Sequence, residues 1–389
     1  MIHQPFCKLL VLASASLFVG SLTCHAADAA LKQDVEKAIT RGLDYLQAQQ
    51  DQKGYWVTPD DPALSALVIS ALKQNPSQDR AKENDATKRG YDFLMSQVKP
   101  DGGIYSKARA NYNTSIGLMA IVLRARPEDE QIIRAAHAFV SHQQNDVDTP
   151  GKTDNPFDGG IGYGGESKPG APAHADLSNT TFALEALYYS KQMFSDSGKP
   201  IDKKDDLNWD AAIQFISRCQ NRPGSNDQSW AGEDKKNIGA FGYTPVPQAE
   251  RGQKKEGPTP MRQYGSISYA GMLSFIYAGL TPEDPRVKAA LEWLGQNYTV
   301  DENPGMGAEG LYYYYHTMAK ALATAQIGTL KTKSGDVDWK DALGKKLISL
   351  QGADGSWANT ASGRWMESSP VLVTAYTVLA LEQVHRSLK

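Results

Sequence analysis

Ala38-Ile39-Thr40-Arg41-Gly42-Leu43-Asp44-Tyr45-Leu46-Gln47 runs into Lys53-Gly54-Tyr55-Trp56. Thr87-Lys88-Arg89-Gly90-Tyr91-Asp92-Phe93-Leu94-Met95-Ser96-Gln97 runs into Asp101-Gly102-Gly103-Ile104-Tyr105. Both stretches have one grammar: a helix of apolar periodicity with Gln near its end, a glycine turn, then an aromatic residue. Looser copies are Ala135 to Gln143 before Gly159 to Tyr163, and Ala211 to Gln220 before Gly239 to Tyr243. Two more are Ala289 to Gln296 before Gly307 to Tyr312, and Lys345 to Gln351 before Asp354 to Trp357. Each turn is followed by a second helix richer in small and apolar residues: Ala63 to Leu72, Thr114 to Leu123, Thr180 to Tyr189, Ser268 to Ala278, His316 to Ala325 and Val371 to Val384.

Six helix pairs exhaust the chain after its first residues. The first helix of each pair carries the charge and should face solvent, and the second should be buried on most sides. An all-α ring of inner helices inside a ring of outer helices follows, an (α/α)6 toroid spanning 27–389 as one domain. The long stretches Asp146 to Ala175, Asn221 to Ile238 and Pro245 to Gln263 each join an outer helix to the next inner one, so they should gather at one end as functional rims or mobile covers. Thr329 to Asp338 is an insertion at the other end.

The Gln, Gly and Trp pattern of Arg41 to Trp56 and of Gln351 to Trp357 resembles the glutamine-tryptophan repeat of squalene-hopene cyclases. The wider pattern is similar to the terpene cyclase and protein prenyltransferase superfamily, which implies the same toroid and an isoprenoid substrate. In the cyclases an aspartic acid in an Asp-X-Asp-Asp-Thr stretch protonates an alkene. The similar stretch here is Asp176-Leu177-Ser178-Asn179-Thr180, with Ser178 in place of the central acid, and a serine hydroxyl cannot protonate an alkene. In the prenyltransferases Asp, Cys and His hold zinc. Tyr315-His316-Thr317 is similar to the His end of that pattern, but Tyr264-Gly265-Ser266-Ile267-Ser268 offers no Asp-X-Cys, and zinc needs three or four ligands. No metal and no cofactor are expected.

Residues 1–26 read as a leader: Lys8, an apolar run from Leu9 to Gly20, and small residues at Cys24 and Ala26 suited to cleavage after Ala26. An exported chain, periplasmic or secreted, is expected, a reading preferred to lipid attachment at Cys24 because Thr23 suits a lipoprotein signal poorly. The mature chain keeps one cysteine, Cys219, and so has no internal disulfide. Among its 389 residues 41 Lys plus Arg stand against 44 Asp plus Glu, a balance that gives no basic footprint for nucleic acid. No later apolar run is long enough for a membrane span.

Polar residues at the starts of the inner helices should converge on the throat. The candidate catalytic residues are Asp176, Tyr315 and His316, and the candidate ligand-binding residues are Asn113, Asn179, Arg262, Tyr264, Tyr312, Arg364, Glu367 and Tyr376. Asp176 is either an acid or the cap of its helix. His316 lies on one stripe with Tyr312 and Lys320, lining a wet cavity or closing a polar network with Arg364 and Glu367. The expected partner is an apolar small molecule or a polymer in the central cavity. Three functions fit these residues: binding or transforming an isoprenoid-like ligand, acting on polysaccharide through paired carboxylates or a Tyr, His and Arg set, or serving as a non-catalytic scaffold for protein or glycan.

Overall fold

The computed structural model describes residues 15–78, 82–146, 151–152, 155–164, 174–247 and 260–388, with the side chains of 15–27 excepted. Among the described residues twelve α-helices alternate between two rings. The outer ring holds α1 (Ala15–Ala48), α3 (Asp85–Ser96), α5 (Glu130–Ser141), α7 (Trp209–Cys219), α9 (Pro285–Gln296) and α11 (Trp339–Ser349). The inner ring holds α2 (Pro62–Gln74), α4 (Ala110–Arg124), α6 (Leu177–Asp196), α8 (Gly265–Tyr277), α10 (Leu311–Thr324) and α12 (Pro370–Ser387). Each inner helix packs on the next, and α12 packs back on α2, so the ring is closed.

The burial follows the periodicity. On α5 the residues Ile133, Ala136, His137 and Val140 are buried, and on α7 Ala212, Phe215, Ile216 and Cys219, both at i, i+3, i+4, i+7 spacing. On α2, by contrast, Pro62 through Lys73 are all buried. The packed face of α1 begins at Leu31 and continues through Val35, Ala38, Ile39, Leu43 and Leu46. Residues 15–26, the second half of the expected leader, continue the backbone of α1 toward the N-terminus, and the first half lies outside the described residues.

The repeat motif turns out to be a device for joining neighbouring pairs. Gln50 Nε2 donates to Gly54 O in its own turn (3.0 Å) and to Ala86 O at the start of the next outer helix (2.8 Å). Gln144, Gln220 and Gln351 do the same, toward Gly159 and Asn208, Gly239 and Arg286, and Gly355 and Ala38. The last of these ties the sixth pair to the first. The residue after the turn is held from the inner side, where Ser65, Thr114, Thr180, Ser268 and Thr374 accept the N–H of Trp56, Ile104, Ile161, Phe241 and Trp357.

At the turn itself the glycine is obligatory. Gly239 has φ +95°, and a Cβ there would stand 2.1 Å from Ala289 O on the next outer helix. Gly239→Ala combines a left-handed backbone with a backbone clash, so it should cost about 2 kcal/mol or more. Urea midpoints of the two proteins check this. An unchanged midpoint would mean the turn is free to move away from α9.

Two copies depart from the grammar. In the second pair Val98 stands where the linking glutamine would be, and Gln97 reaches only Ser96 Oγ. In the fifth, the insertion is not loop but an antiparallel hairpin, β1 (Leu330–Thr332) with β2 (Gly335–Val337), which packs on α9. Gly295 of α9 lies against it, a Cβ there falling 2.1 Å from Lys331 O.

Candidate functional site

All six inner helices direct their N-terminal ends at one cavity of about 540 Å³. Leu64, Tyr112, Ser178, Phe182, Tyr264, Ile267, Tyr313, Leu372 and Tyr376 form its walls, one or two from each helix. Tyr163, Tyr243, Thr244, Met261 and Arg262 reach it from the long loops after α5 and α7. Met306, Arg364, Trp365, Met366 and Glu367 complete the rim.

The interior is aromatic. Phe182 meets the Tyr112 ring edge-on at 5.6 Å and the Tyr313 ring at 6.3 Å, Tyr313 meets Tyr376 at 5.9 Å, and His316 stacks on Tyr376 at 5.3 Å. Burial pushes the phenol of Tyr112 up to about 12 and those of Tyr243, Tyr264, Tyr313 and Tyr376 higher still, so these hydroxyls stay neutral. Their rings present electron-rich faces to the cavity.

Charge is confined to the mouth. Arg109 pairs with Asp61, and Arg364 with Glu309 at 2.7 Å, while the Arg364 guanidinium lies 4.4 Å from the centre of the Trp365 ring. Trp365 is 50% exposed, and both it and Met366 have left-handed backbone (φ 53° and 65°), an uncommon conformation for large side chains. Glu367 is buried beneath them. Its Oε1 accepts the N–H groups of Tyr312 (3.0 Å) and Tyr313 (2.9 Å), capping α10, and its Oε2 accepts from Asn359 Nδ2 at 2.6 Å. Burial raises the Glu367 carboxyl above its ordinary range, opposed by these hydrogen bonds.

Of the residues singled out from sequence, Arg262, Tyr264, Arg364, Glu367 and Tyr376 line the cavity. The others stand behind the wall. Asn113 Oδ1 accepts the N–H of Ala63, and its Nδ2 donates to Ala108 O, which ties α4 to α2. Tyr312 and Tyr315 spend their hydroxyls on Ala358 O and Val300 O. It is Tyr313 of the tyrosine run that faces inward, its hydroxyl 3.0 Å from Ser178 Oγ. His316 is buried, with Nδ1 unpartnered among the described residues, and burial with Lys320 nearby holds it well below its ordinary value, as the neutral imidazole.

Asp176 caps α6. Its Oδ1 accepts Asn179 N at 2.8 Å and its Oδ2 accepts Asn179 Nδ2 at 2.7 Å, with the Tyr243 hydroxyl near the carboxylate and favouring its charged form. Burial raises its carboxyl above the ordinary 3.8. A carboxyl that holds its proton more tightly when folded makes the folded state lose stability as pH climbs above that ordinary value. Asp176→Asn keeps an acceptor for Asn179 N, and a rotation of the Asn179 amide would turn its unpartnered Oδ1 toward the new donor. The variant should therefore gain on the wild-type protein as pH rises above about 4. Parallel urea midpoints over that rise would show that Asp176 keeps its ordinary titration.

Sequence reasoning missed Arg109, Asp61, Phe182, Trp365 and the loop tyrosines Tyr163 and Tyr243. Arg109 and Trp365 carry one legible signal, a large side chain immediately before an inner helix or its capping turn. Elsewhere, Ser190 Oγ lies 2.7 Å from His137 Nδ1, and His137 Nε2 lies 3.7 Å from Asp206. The order imitates a nucleophile triad, but Ser190 and His137 are fully buried between α5 and α6, and Ser190 donates to Ala186 O at 2.6 Å. No face is left for a substrate.

Among the described residues no helix is long and apolar enough to cross a membrane. No protein-family model and no curated protein matches the chain. Solved structures do. The type II terpene cyclase MstE from Scytonema superposes in its apo form with a TM-score of 0.55 at 13% identity, covering 92% of this chain and 99% of that one. A variant of MstE in complex with its substrate, geranylgeranyl dihydroxybenzoate, matches with a TM-score of 0.53 at 13% identity over the same shares. A protein from Actinoplanes matches with a TM-score of 0.51 at 15% identity, covering 90% of this chain and 99% of that one. The chain thus has the terpene cyclase-like toroid fold.

Proposed function

We propose that this chain, built on the terpene cyclase-like toroid fold, binds an isoprenoid-like apolar ligand in the cavity of the inner ring, with the ligand's polar head at the arginine-bearing mouth. The observation that carries this reading is the segregation of the walls: tyrosine, phenylalanine and leucine inside, Arg109, Arg262 and Arg364 at the rim. A volume of about 540 Å³ lies in the range of roughly 300–1,000 Å³ usual for small-molecule pockets. A substrate of MstE, geranylgeranyl dihydroxybenzoate, is of the same chemical class.

The reading is of a ligand-binding toroid and does not extend to cyclase chemistry. In the stretch that is similar to the cyclase acid motif, a serine, Ser178, stands in place of the central acid, and its side chain lines the cavity. The two wall carboxylates are engaged, Asp61 with Arg109 and Glu367 in capping α10. Action on polysaccharide draws no support from these walls, because Tyr315, His316 and Asp176 stand behind them. The proposal includes export of the mature chain after removal of residues 1–26, for which N-terminal sequencing of the protein recovered from cell fractions is the test.

Purified protein titrated with geranylgeraniol, geranylgeranyl diphosphate and a cello-oligosaccharide tests the ligand class. Both isoprenoids should raise Tm, by the equivalent of about 2.7 kcal/mol at a hundredfold excess over Kd, and should change the emission of the exposed Trp365. A response to the saccharide alone would replace this reading with the carbohydrate one.

A further inference from the structure

The inner ring holds a second, smaller chamber of about 40 Å³ below the main cavity, and Phe182 lines both. The two are stacked along the ring axis, as the inward stripes of the inner helices show. On α6 the stripe runs Ser178 (upper), Phe182 (shared), Glu185 (lower), at i, i+4, i+7 spacing; on α2 Leu64 is upper and Leu67 lower; on α12 Tyr376 is upper and Leu379 lower. From Ser178 to Glu185 the descent is about 10 Å at 1.5 Å per residue.

The partition is the Phe182 ring, held between Tyr112 and Tyr313 at centroid distances of 5.6 and 6.3 Å. Below it the walls are mainly apolar, with Leu67, Ile116, Met119 and Leu379 beside Ser70 and Ser115. The floor is polar. Lys320 Nζ bridges both carboxylate oxygens of Glu185, at 2.8 and 2.9 Å, from α10 to α6, and both residues line the lower chamber. An apolar chain entering from the mouth thus meets an aromatic plate first, and a charged pair only beyond a short apolar space. Burying that pair under hydrocarbon would strip water from it, so it penalises an apolar chain that descends to its level, although Gln74 and Leu123 line the chamber farther down.

We infer that Phe182 sets the length of the apolar ligand: the chain's tail ends against its ring, and the lower chamber is the space that a smaller residue would add. This rests on the apolar-ligand reading above. The site takes a single flexible hydrocarbon chain, and Phe182 is its specificity-determining residue.

The test uses the full chain and a ladder of free isoprenols, geraniol, farnesol, geranylgeraniol and geranylfarnesol, with affinity read by thermal shift and Trp emission. The wild-type protein should show an optimum length, with affinity falling at the next longer member. Phe182→Ala should move the optimum up by one member and bind that longer alcohol about tenfold more tightly than the wild-type protein does, because the added methylenes are buried rather than folded back. Phe182→Leu, which keeps more of the packing, should shift the preference in the same direction by less, and it carries the test if the alanine variant does not fold. Leu67→Phe should leave wild-type preference unaltered and abolish the gain in Phe182→Ala, since it fills the lower chamber.

An unchanged optimum in both Phe182 variants, with the wild-type protein still binding, would overturn the partition and leave the apolar-ligand reading standing. A gain in Phe182→Ala that survives Leu67→Phe would overturn the assignment of the added space to the lower chamber. Failure of the wild-type protein to bind any of the four alcohols would overturn both readings.

Discussion

Glu367→Ala should cost about 3 to 5 kcal/mol of stability and abolish ligand binding at the mouth. The helix it serves cannot cap itself. α10 opens at Gly310 in a left-handed conformation with no side chain to accept its first N–H groups, and Glu367, 55 residues later in the chain, accepts those of Tyr312 and Tyr313 instead. Removing the carboxylate leaves the N–H groups of Tyr312 and Tyr313 without an acceptor, each worth about 1–3 kcal/mol, and leaves the Asn359 amide with only Ala308 O to donate to. It also releases the turn that carries Arg364, Trp365 and Met366. Glu367→Gln should cost less, since one oxygen can still serve α10, but its amide would face Asn359 Nδ2, whose own Oδ1 is already held by Ala361 N and Ser362 N. Denaturant midpoints of the two variants, with isoprenoid titrations under conditions where both are folded, separate the stability loss from the binding loss. Equal midpoints for alanine and wild type would remove Glu367 from its capping role.

The architecture was legible because the repeat is written in residue types with one use each. Glycine at Gly54, Gly159, Gly239 and Gly355 is needed where the turn meets the carbonyl of the next outer helix, and glutamine is the side chain long enough to reach two carbonyls from there. The register of the motif was less legible. Gln47 and Gln143 lie within a few residues of Gln50 and Gln144, and periodicity alone does not say which reaches across. The linking residues are Gln50 and Gln144, while Gln47 accepts from Asn84. The hairpin at β1 and β2 was hidden for a different reason: two strands of three residues are too short to display an alternating pattern.

The site divided along similar lines. That inner helix starts would converge followed from the ring, and Arg262, Tyr264, Arg364, Glu367 and Tyr376 sit on the cavity wall. Which residue of each start faces inward depends on the helix phase, and one residue is a 100° turn. Hence Tyr313 lines the cavity and Tyr312 does not; Ser178 does and Asp176 does not. Polar type was a poor guide to placement, because Asp176 and Asn113 satisfy backbone groups at helix starts and Asn179 donates to the Asp176 carboxylate, work that asks for the same residues as a polar site. The aromatic partition at Phe182 carries no sequence signal of its own, since a phenylalanine on a buried helix is by default core.

Glu83→Ala should be the most destabilising change away from the cavity, again about 3 to 5 kcal/mol, and it should leave ligand preference untouched. Glu83 lies at the end of the ring remote from the mouth, where α2 and α4 finish. Its side chain is buried, with Arg126 Nη2 2.7 Å from Oε2, and Arg124 Nε and Lys73 Nζ 3.5 and 3.8 Å from Oε1. Asp129 lies 3.5 Å from Arg124 Nη1 and Glu128 3.9 Å from Arg126 Nη1; burial raises the Asp129 carboxyl, so it offers Arg124 poor compensation for a lost carboxylate. Without Glu83, Lys73 and Arg124 would be left as close, mostly buried like charges, and the Arg124 guanidinium would keep only the Tyr91 ring at 4.7 Å and Asp129. Much of the cost is that of removing the carboxylate from between buried cations rather than the worth of the ion pairs, so it should fall if a cation is removed as well. In the double variant Glu83→Met with Arg124→Met most of the loss should be recovered, as buried ion pairs replaced by apolar residues of similar size often cost little. Urea unfolding of the single and double variants, together with the isoprenol ladder, gives the decisive comparison. A Glu83→Ala protein with wild-type stability would show that the cluster is solvated. A shifted ligand preference would show that the far end of the ring reports to the cavity through α2 and α4.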